Sequence, residues 1–241
     1  SLMFIILMGD YTWRQYSIDS WHKNADRIYL MGNEKMFFMW PQAAEEIKNQ
    51  CPEVEKTCCV LGADGIIRYG QQEVKSKDAQ EGIIMLTDST FFQFFDFELV
   101  KGDRLTALDA PDKCVITEQL AKTFFGDRDP IGESIQIIGS RHVHIVDVNG
   151  TDPYDSTLVY TVSAVAKDLD HTVLPNETQV IASMERYPQV AGYRLDNNTV
   201  AISSTGAIKT FLMERPGTNL VNKRKQIQDY LQKNYTNAWG S

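Results

Sequence analysis

Residues 115–135, VITEQLAKTFFGDRDPIGESI, contain a strand, a capped helix, a turn and the start of a second strand. Thr117 is a favoured N-cap residue and follows the apolar strand residues 114–116 directly. Gly126 supplies the left-handed conformation that ends a helix, and Pro130 with Gly132 predicts a turn before a strand at 134–138. The predicted helix has an apolar face of four residues: Leu120, Ala121, Phe124 and Phe125.

Short strands outnumber helices along the rest of the chain, which predicts an α+β domain without internal repeats. Residues 208–213 fit either a strand or a helix, and the sequence leaves both open. Apolar runs bounded by turn residues predict further strands at 27–31, 57–61, 66–69, 82–86, 142–148, 158–165 and 179–182.

Three more helical segments are predicted. The first begins at Pro41 and ends before Pro52, because proline suits a first helical turn and stops a helix later on. The second is a short turn capped by Asp88 or Ser89, and we expect the phenylalanines of 91–95 to lie in the core rather than in a ligand cage. The last helix has an apolar stripe formed by Leu220, Ile227, Tyr230 and Leu231.

Composition and charge argue for a globular domain that does not bind nucleic acid. The 241 residues are 43% hydrophobic and 23% charged, which is ordinary for a folded domain. The net charge is -8 and the pI is about 5.0, whereas a phosphate-binding surface needs clustered Lys and Arg. The dense basic run at 223–225 is predicted to be the solvated face of a helix.

Cysteines and histidines give little sign of chemistry. Cys51 and Cys58 fit a disulfide in an oxidising compartment, and buried free thiols fit equally well. No Cys-x-x-Cys pair supports a structural zinc site. His142 and His144 alternate on a predicted strand near Asp147, where two solvent-facing histidines are favoured over a metal site. The sequence has no nucleophile elbow, P-loop, dinucleotide-binding turn or zinc-protease helix motif.

Residues 2–8, LMFIILM, form an uninterrupted apolar run. The run is too short to cross a bilayer, which takes about 20 apolar residues, and it lacks the flanks of a signal peptide. Composition favours a buried strand, and the alternative is the outer end of a transmembrane helix. The aromatic residues that follow suit either a membrane–water boundary or an ordinary core: Tyr11, Trp13, Tyr16 and Trp21.

Three stretches, in this order, resemble the MacB/FtsX-like ABC-transporter permeases, particularly those of Bacteroides-type bacteria. Residues 19–29, DSWHKNADRIY, are similar to the segment that follows the first transmembrane helix in that family. Residues 91–102 and 115–135 resemble two further family stretches, and the match becomes loose beyond about residue 170. The signature positions, to which the resemblance gives a structural role, are Asp19, Trp21, His22, Ala25, Asp26, Arg27, Ile28, Tyr29, Phe125, Gly126, Asp129, Pro130, Ile131 and Gly132.

The resemblance implies the two-lobed MacB periplasmic core. On this chain, residues 1–87 are the first segment of a porter-like lobe, residues 88–167 an inserted sabre-like lobe, and residues 168–241 the second porter-like segment. Residues 2–8 then become the extracytoplasmic end of the first transmembrane helix, which reverses the expectation from composition. The stretch 187–206 departs from the family core.

The same resemblance implies a mechanical role without catalytic residues, cofactor or metal ion. In an inner-membrane permease, this periplasmic domain would pass ATP-driven movement to a substrate or partner protein, for export, lipoprotein release or activation of a cell-wall enzyme. Such a relay is expected to keep the lobe at 88–167 separable from the rest. The implied partners are a cytoplasmic ABC ATPase subunit, a second permease copy or homologue, an extracytoplasmic protein and the inner membrane, without nucleic acid. Two alternatives are a membrane-anchored binding or sensor module and an extracytoplasmic hydrolase.

Overall fold

One mixed sheet of eleven strands organises the residues that the computed structural model describes, which are 18–31, 41–76, 82–139, 157–170, 172–175, 177–186 and 208–235. In chain order the strands are β1 (Ile28–Leu30), β2 (Val54–Ala63), β3 (Gly65–Tyr69), β4 (Gln72–Lys75), β5 (Ile84–Thr87), β6 (Leu99–Lys101), β7 (Lys113–Thr117), β8 (Ser134–Gly139), β9 (Thr157–Ala166), β10 (Val180–Ser183) and β11 (Ile208–Glu214). The α-helices of this part are α1 (Pro41–Gln50), α2 (Phe91–Phe94), α3 (Glu118–Phe125) and α4 (Arg224–Tyr235).

The strand order across the sheet is β1-β11-β2-β5-β10-β7-β9-β8-β3-β4, and β6 pairs with β9. β10 is parallel to β5 and β7 is parallel to β9, whereas the other described pairs are antiparallel. β11 comes late in the chain, yet it lies between β1 and β2. The C-terminal part of the chain is therefore built into the N-terminal part by backbone hydrogen bonds.

The central strands are covered on both faces. Successive residues of a strand point to opposite faces, so Ile84 and Leu86 of β5 join one core cluster and Met85 joins the other. The phenylalanines of 91–97 cover the second face, and the first is covered by helix residues Ala44, Leu120, Phe124 and Phe125. This double coverage explains why β5, β7 and β10 have nearly continuous apolar sequences.

A third cluster joins the last helix to the first. Ile47 and Cys51 of the α1 region are buried beside Leu212 and Leu220. Partly buried residues of α4, Ile227, Tyr230 and Leu231, pack against this cluster. The apolar stripe predicted for the last helix therefore does pack, and it packs against α1.

The unit at 115–135 forms as its sequence predicts. The Thr117 hydroxyl oxygen accepts a hydrogen bond from the Leu120 N–H at 3.3 Å. Gly126 ends α3 with a φ of 61° and donates its N–H to the Lys122 carbonyl at 3.0 Å. Gly132 has a φ of 84° in the turn before β8. Positive φ at both positions explains why glycine is needed there.

Three local predictions are corrected or resolved. Neither Asp88 nor Ser89 caps α2, because Thr90 is its N-cap residue and makes no capping side-chain bond. The Asp88 carboxylate instead accepts the Cys59 N–H of β2 at 2.6 Å, which draws it away from the helix. The ambiguous stretch 208–213 is a strand. All four cysteines are buried free thiols: Cys51, Cys58, Cys59 and Cys114.

β4 is not predicted from the sequence because its residues have no apolar pattern. Its sequence is Gln-Glu-Val-Lys, and Val74 alone is partly buried while the other three residues are exposed. β4 pairs with β3 in an antiparallel hairpin whose turn contains Gly70 at a φ of 59°. β4 is the outer strand of this hairpin and contributes only Val74 to the core, so the usual apolar signal is missing.

Strand pairing crosses the predicted lobe boundaries. β7, β8 and β9 come from residues 88–167, and β7 pairs with β10 while β8 pairs with β3. Both partners lie outside that range, so backbone hydrogen bonds connect the segment to the chain on either side of it. The segment 88–167 also shares two core clusters with the rest of the described chain, so the expectation that it is separable is not met, while the boundaries at 87/88 and 167/168 stay a prediction.

Several predictions fall on residues outside the described ranges. These are the apolar run at 2–8, the strand at 142–148, the variable stretch 187–206, the aromatic residues Tyr11, Trp13 and Tyr16, and the candidate ligands His142, His144 and Asp147.

Candidate functional site

Residues 18–27, here named the strap, lead into β1 through a series of turns. The His22 N–H bonds the Asp19 carbonyl at 3.3 Å, and the Ala25 N–H bonds the His22 carbonyl at 3.0 Å. A single 3-10 turn, Ala25–Arg27, follows. Asp19, His22 and Lys23 then make contacts with the segment 95–97 and with the loop 172–175. The strap is therefore held by turns and side chains until β1 begins.

Asp19 anchors the strap to the loop at 172–175. Its Oδ2 atom accepts the Val173 N–H at 2.9 Å. Its φ is 58°, a conformation that aspartate tolerates better than most residues do. Burial raises the pKa of Asp19, but the adjoining His22 imidazole, the Val173 N–H and the Thr172 side chain outweigh burial and lower the pKa below 3.8. The carboxylate is thus charged near neutral pH.

His22 is the most enclosed polar residue of the strap, with 4% of its surface exposed. Its ring centroid lies 3.8 Å from the Trp21 ring, 5.2 Å from that of Phe95 and 5.1 Å from that of Phe97. Its Nδ1 atom accepts the Asp96 N–H at 3.0 Å. Because Nδ1 accepts, the neutral ring carries its proton on Nε2. His22, one of the signature residues, therefore fastens the strap to the segment 95–97.

Two buried polar atoms of the strap face each other without a hydrogen bond. Asp19 Oδ1 and His22 Nε2 are 3.7 Å apart, and within the described part of the chain neither has a hydrogen-bond partner. This separation exceeds the 2.7–3.2 Å of a normal N–H···O hydrogen bond. Buried polar atoms of this kind are rare, because losing water without gaining a partner costs free energy.

Arg27 fastens the end of the strap to two neighbouring strands. Its Nη1 donates to Glu55 Oε2 of β2 at 2.9 Å and to the Glu214 carbonyl at the end of β11. Tyr29 donates its hydroxyl to Glu214 Oε2 at 3.1 Å. The same Oε2 atom accepts the Leu220 N–H at 2.8 Å, on the way to α4. We name these five residues, Arg27, Tyr29, Glu55, Glu214 and Leu220, the joint.

The last helix is bound to the first by a polar contact in addition to the apolar cluster. Tyr230 of α4 donates its hydroxyl to Glu46 Oε2 of α1 at 2.7 Å. Lys223 forms an ion pair with Glu53 at 3.0 Å, just beyond α1. The chain that follows β11 is therefore attached to the same region as the strap.

The signature residues at 125–132 form a turn beside β9 and β6. Asp129 Oδ1 accepts the Ile131 N–H and the Lys101 ammonium group, each at 3.2 Å. The Gly132 N–H donates to the Val162 carbonyl of β9 at 2.8 Å. Pro130 and Phe125 are buried, and the ring of Phe125 lies 4.5 Å from that of Tyr69. This turn fixes where the chain leaves α3 and enters β8.

The signature residues thus divide into two groups with different surroundings. The residues of 19–29 lie against β11, β2 and the segment 95–97. The residues of 125–132 lie against β9 and β6. Ala25 is half-buried and Asp26 is exposed, so these two contribute through the turn that they form.

Sequence reasoning missed three residues that hold these groups in place. Asp96 lies opposite His22 and also accepts the Lys23 N–H at 2.7 Å. Arg104 donates to three carbonyls of the phenylalanine segment, those of Phe92, Phe95 and Phe97, and Glu214 serves the joint. Asp96 lies inside the stretch 91–102 that resembles the family, and this position is the signal that could have identified it. Arg104 and Glu214 carry no local signal.

The described residues contain no group of three or more His, Cys, Asp or Glu side chains able to hold a metal ion. The helices in the same ranges include none that is long and apolar enough to cross a membrane.

A family model, that of the MacB-like periplasmic core domain, matches residues 1–225. The chain belongs to this family. A curated relative, the macrolide export ATP-binding/permease protein MacB of Syntrophobacter fumaroxidans, is 27% identical over 162 residues. The alignment covers 63% of this MacB-like chain and 22% of that protein, so the chain spans about a fifth of the relative's length.

Solved structures share the fold of this MacB-like domain. The periplasmic region of MacB from Actinobacillus actinomycetemcomitans has a TM-score of 0.54 at 13% identity, covering 86% of the chain and 81% of that structure. The extracellular domain of the transporter YknZ from Gram-positive bacteria has a TM-score of 0.54 at 11% identity, covering 87% and 93%. A domain of a putative permease from Porphyromonas gingivalis has a TM-score of 0.51 at 18% identity, covering 79% and 75%. The predicted two-lobed α+β fold is thereby confirmed.

Proposed function

We propose that this MacB-like domain is the periplasmic part of an inner-membrane ABC-transporter permease and passes ATP-driven movement to a substrate or partner protein. The family match and the identity with an ATP-binding/permease protein support the permease context. The observation that carries the mechanical role is the joint, where segments from the two ends of the described chain are bound to each other. Movement entering through either segment then reaches the same strands.

The joint suits transmission because it combines backbone and side-chain contacts. β1 is antiparallel to β11, with Ile28 opposite Met213 and Leu30 opposite Phe211. The Arg27 and Glu55 side chains are 22% and 30% exposed, so their pair is shielded from water on most sides. Hydrogen bonds to charged groups contribute about 1.5–3 kcal/mol each, more than an exposed ion pair does. The strap and β11 should therefore move together.

Beyond the joint, the sheet provides a rigid path. β11 pairs with β2, β2 with β5 and β5 with β10, so the joint is linked by hydrogen-bonded strands to the middle of the sheet. Those strands are packed on both faces. Close-packed interiors deform little and transmit strain, which a relay between membrane and partner requires.

The proposal includes partners and assigns the signature residues a structural task. The partners are a cytoplasmic ABC ATPase, a second permease copy or homologue, an extracytoplasmic protein and the inner membrane. The residues at 19–29 would fix the strap and the joint, and those at 125–132 would fix the turn between α3 and β8. No catalytic reaction is assigned to the chain. Export, lipoprotein release and activation of a cell-wall enzyme are all compatible with such a relay.

The experiment uses the full permease with its ATPase in membranes. All four cysteines of this chain are buried, so a cysteine replacing the exposed Asp112 can be spin-labelled selectively once cysteines outside this chain, in the permease and its ATPase, have been replaced. Label-to-label distances between two permease copies are measured with and without ATP. We expect ATP to change the distance, and Arg27→Gln to reduce that change while ATP hydrolysis continues, because the glutamine loses the charged contacts of the joint.

Arg68→Gln is the matched control. It breaks another arginine–carboxylate pair, Arg68 with Glu73, in the solvated β3–β4 hairpin away from the joint. The control variant should keep the whole ATP-dependent change. If the unsubstituted domain shows no change with ATP, or if Arg27→Gln keeps all of it, the mechanical proposal is wrong.

A further inference from the structure

Side chains, rather than strand pairing, attach the strap to the neighbouring segments of the described chain. Ahead of Arg27 and the joint, hydrogen bonds between side chains and backbone hold it at three amides: Val173 N–H to Asp19 at 2.9 Å, Asp96 N–H to His22 at 3.0 Å, and Lys23 N–H to Asp96 at 2.7 Å. None of the three is part of a strand ladder. The strap can therefore leave its position without breaking the sheet.

Two features make this attachment incomplete. Asp19 has a φ of 58° and is the one residue other than glycine with a positive φ in the described ranges. The buried Asp19 Oδ1 and His22 Nε2 atoms face each other at 3.7 Å without a bond. Backbone conformations of this type and unsatisfied buried atoms both raise the free energy of the attached strap, and such backbone conformations cluster at switch regions, among other functional sites.

The gap between these two atoms is small. Shortening 3.7 Å to a normal hydrogen-bond length of about 2.9 Å needs a shift of about 0.8 Å. Because the neutral His22 ring carries its proton on Nε2, the donor already faces the Asp19 acceptor. The Trp21 ring packs against the imidazole at a tilt of 37°, with 3.8 Å between the ring centroids, and is still 43% exposed, so it covers this pair from the solvent side.

We propose that Asp19, His22 and Asp96 form a latch with an engaged and a released position, and that the strap, the segment 95–97 and the loop 172–175 are released together. Charged groups surround the latch without completing it. Lys23 lies 3.9 Å from Asp96, Lys209 donates to the Val173 carbonyl, and Arg104 donates to the Phe95 and Phe97 carbonyls on either side of Asp96. The Lys209 and Arg104 contacts hold the partners of the strap, whereas the largely exposed Lys23 side chain adds a weak ion pair between the strap and Asp96.

The purpose of the latch rests on the proposed function. With the latch engaged, movement of the strap reaches the segment 95–97 and the loop 172–175 as well as the joint. With the latch released, the strap is fastened at the joint alone. Release would thus change how much of the domain follows the membrane segment. The existence of the latch does not depend on that function, so it is tested on the 241-residue chain itself.

The test is native-state hydrogen exchange of the 241-residue chain, read residue by residue by NMR. We expect the amides of Lys23, Asp96 and Val173 to share one opening free energy, clearly below that of the Val115 amide in the buried strand β7. If the three amides exchange with unrelated free energies, or only with global unfolding, the latch does not exist. This result would leave the distance experiment on the full permease untouched.

Asp19→Asn tests whether the three contacts depend on one another. Its amide group faces the Nε2–H donor of His22 with a competing donor, so the latch should be released more often. We expect exchange at Val173, Asp96 and Lys23 to accelerate about tenfold, which corresponds to about 1.4 kcal/mol, because the charged acceptor of the Val173 N–H becomes a neutral amide. Acceleration at Val173 alone would show a local contact and overturn the proposal.

Lys23→Ala is the matched control, because it removes a side chain that is 85% exposed and keeps the Lys23 backbone bond. It should leave exchange at the Asp96 and Val173 amides unchanged. Protection of the Val115 amide in every variant verifies that the fold is intact. Equal acceleration by Lys23→Ala and Asp19→Asn would contradict the latch, since a surface charge would then matter as much as the buried pair.

Discussion

Asp88 should make the stability of the domain fall as the pH rises from about 4 to about 6. Its carboxylate is largely enclosed beside β2 and accepts the Cys59 N–H at 2.6 Å. Burial raises the pKa of Asp88 from 3.8 to about 6, although the bond from Cys59 opposes that shift. A buried carboxylate without a cationic partner prefers its neutral form.

The sign follows from proton binding. Since the pKa of Asp88 is higher in the folded than in the unfolded chain, the folded state holds the proton more tightly. The stabilisation is complete below pH 3.8 and is lost as the pH rises through about 6. One pKa unit corresponds to 1.36 kcal/mol, so the difference amounts to about 3 kcal/mol.

Asp88→Asn isolates this contribution. The asparagine amide oxygen can accept the same Cys59 N–H but has no charge to bury. We expect the unfolding free energy of the variant minus that of the original chain to grow by about 2.5 kcal/mol from pH 4 to pH 8, because part of the full difference is already lost at pH 4. Urea unfolding followed by circular dichroism at five pH values measures this difference.

Asp129→Asn is the control for Asp88→Asn. The Ile131 N–H and Lys101 lower the pKa of the exposed Asp129, so removing this carboxylate should give a difference of the opposite sign. A difference for Asp88→Asn that stays constant between pH 4 and pH 8 would refute the reasoning, because the folded domain would then bind no extra proton at Asp88.

Two further pairs of variants test the local structure by urea unfolding. Thr117→Ala removes the hydroxyl that caps α3 and should lower the unfolding free energy by about 1–2 kcal/mol. Thr123→Ala removes an exposed hydroxyl within the same helix and should leave the unfolding free energy nearly unchanged. Equal losses for the two variants would contradict the capping role. Gly217→Ala places a Cβ in open space at a φ of 80° and should cost about 1–2 kcal/mol from backbone strain alone. Gly102→Ala, at a φ of 92°, adds a clash at 2.5 Å with the Ala164 Cβ and should cost about 3 kcal/mol or more; if both glycine variants lose the same stability, the close approach of Gly102 to β9 is not tight.

Most of the elements could be predicted because their signals are local. The cap, apolar face and glycine stop of α3 lie within ten residues of one another, and each follows from short-range sterics and hydrogen bonding. Apolar runs in the sequence predict strands β5, β7 and β10. β4 has no such run, since three of its four residues are exposed.

The sequence could predict several residues of the candidate site, but it could not predict which partners they contact. The resemblance singled out Asp19, His22 and Arg27 without saying what they touch. Asp88 illustrates the limit of local reasoning. It was predicted to cap a helix, but its carboxylate accepts the N–H of Cys59, which lies 29 residues earlier in the chain. Side-chain hydrogen bonds are decided by whichever partner the fold brings within reach.

The sequence by itself determined the α+β class, the acidic globular character and the capped unit at 115–135, because these depend on composition and on neighbours within a few residues. The tertiary structure alone decided that β11 lies between β1 and β2, that Glu214 receives bonds from both sides of the joint, and that His22 faces Asp96 across 74 residues of chain. The physical reason is that local sterics act along the chain, whereas the burial of two sheet faces selects among distant segments at once.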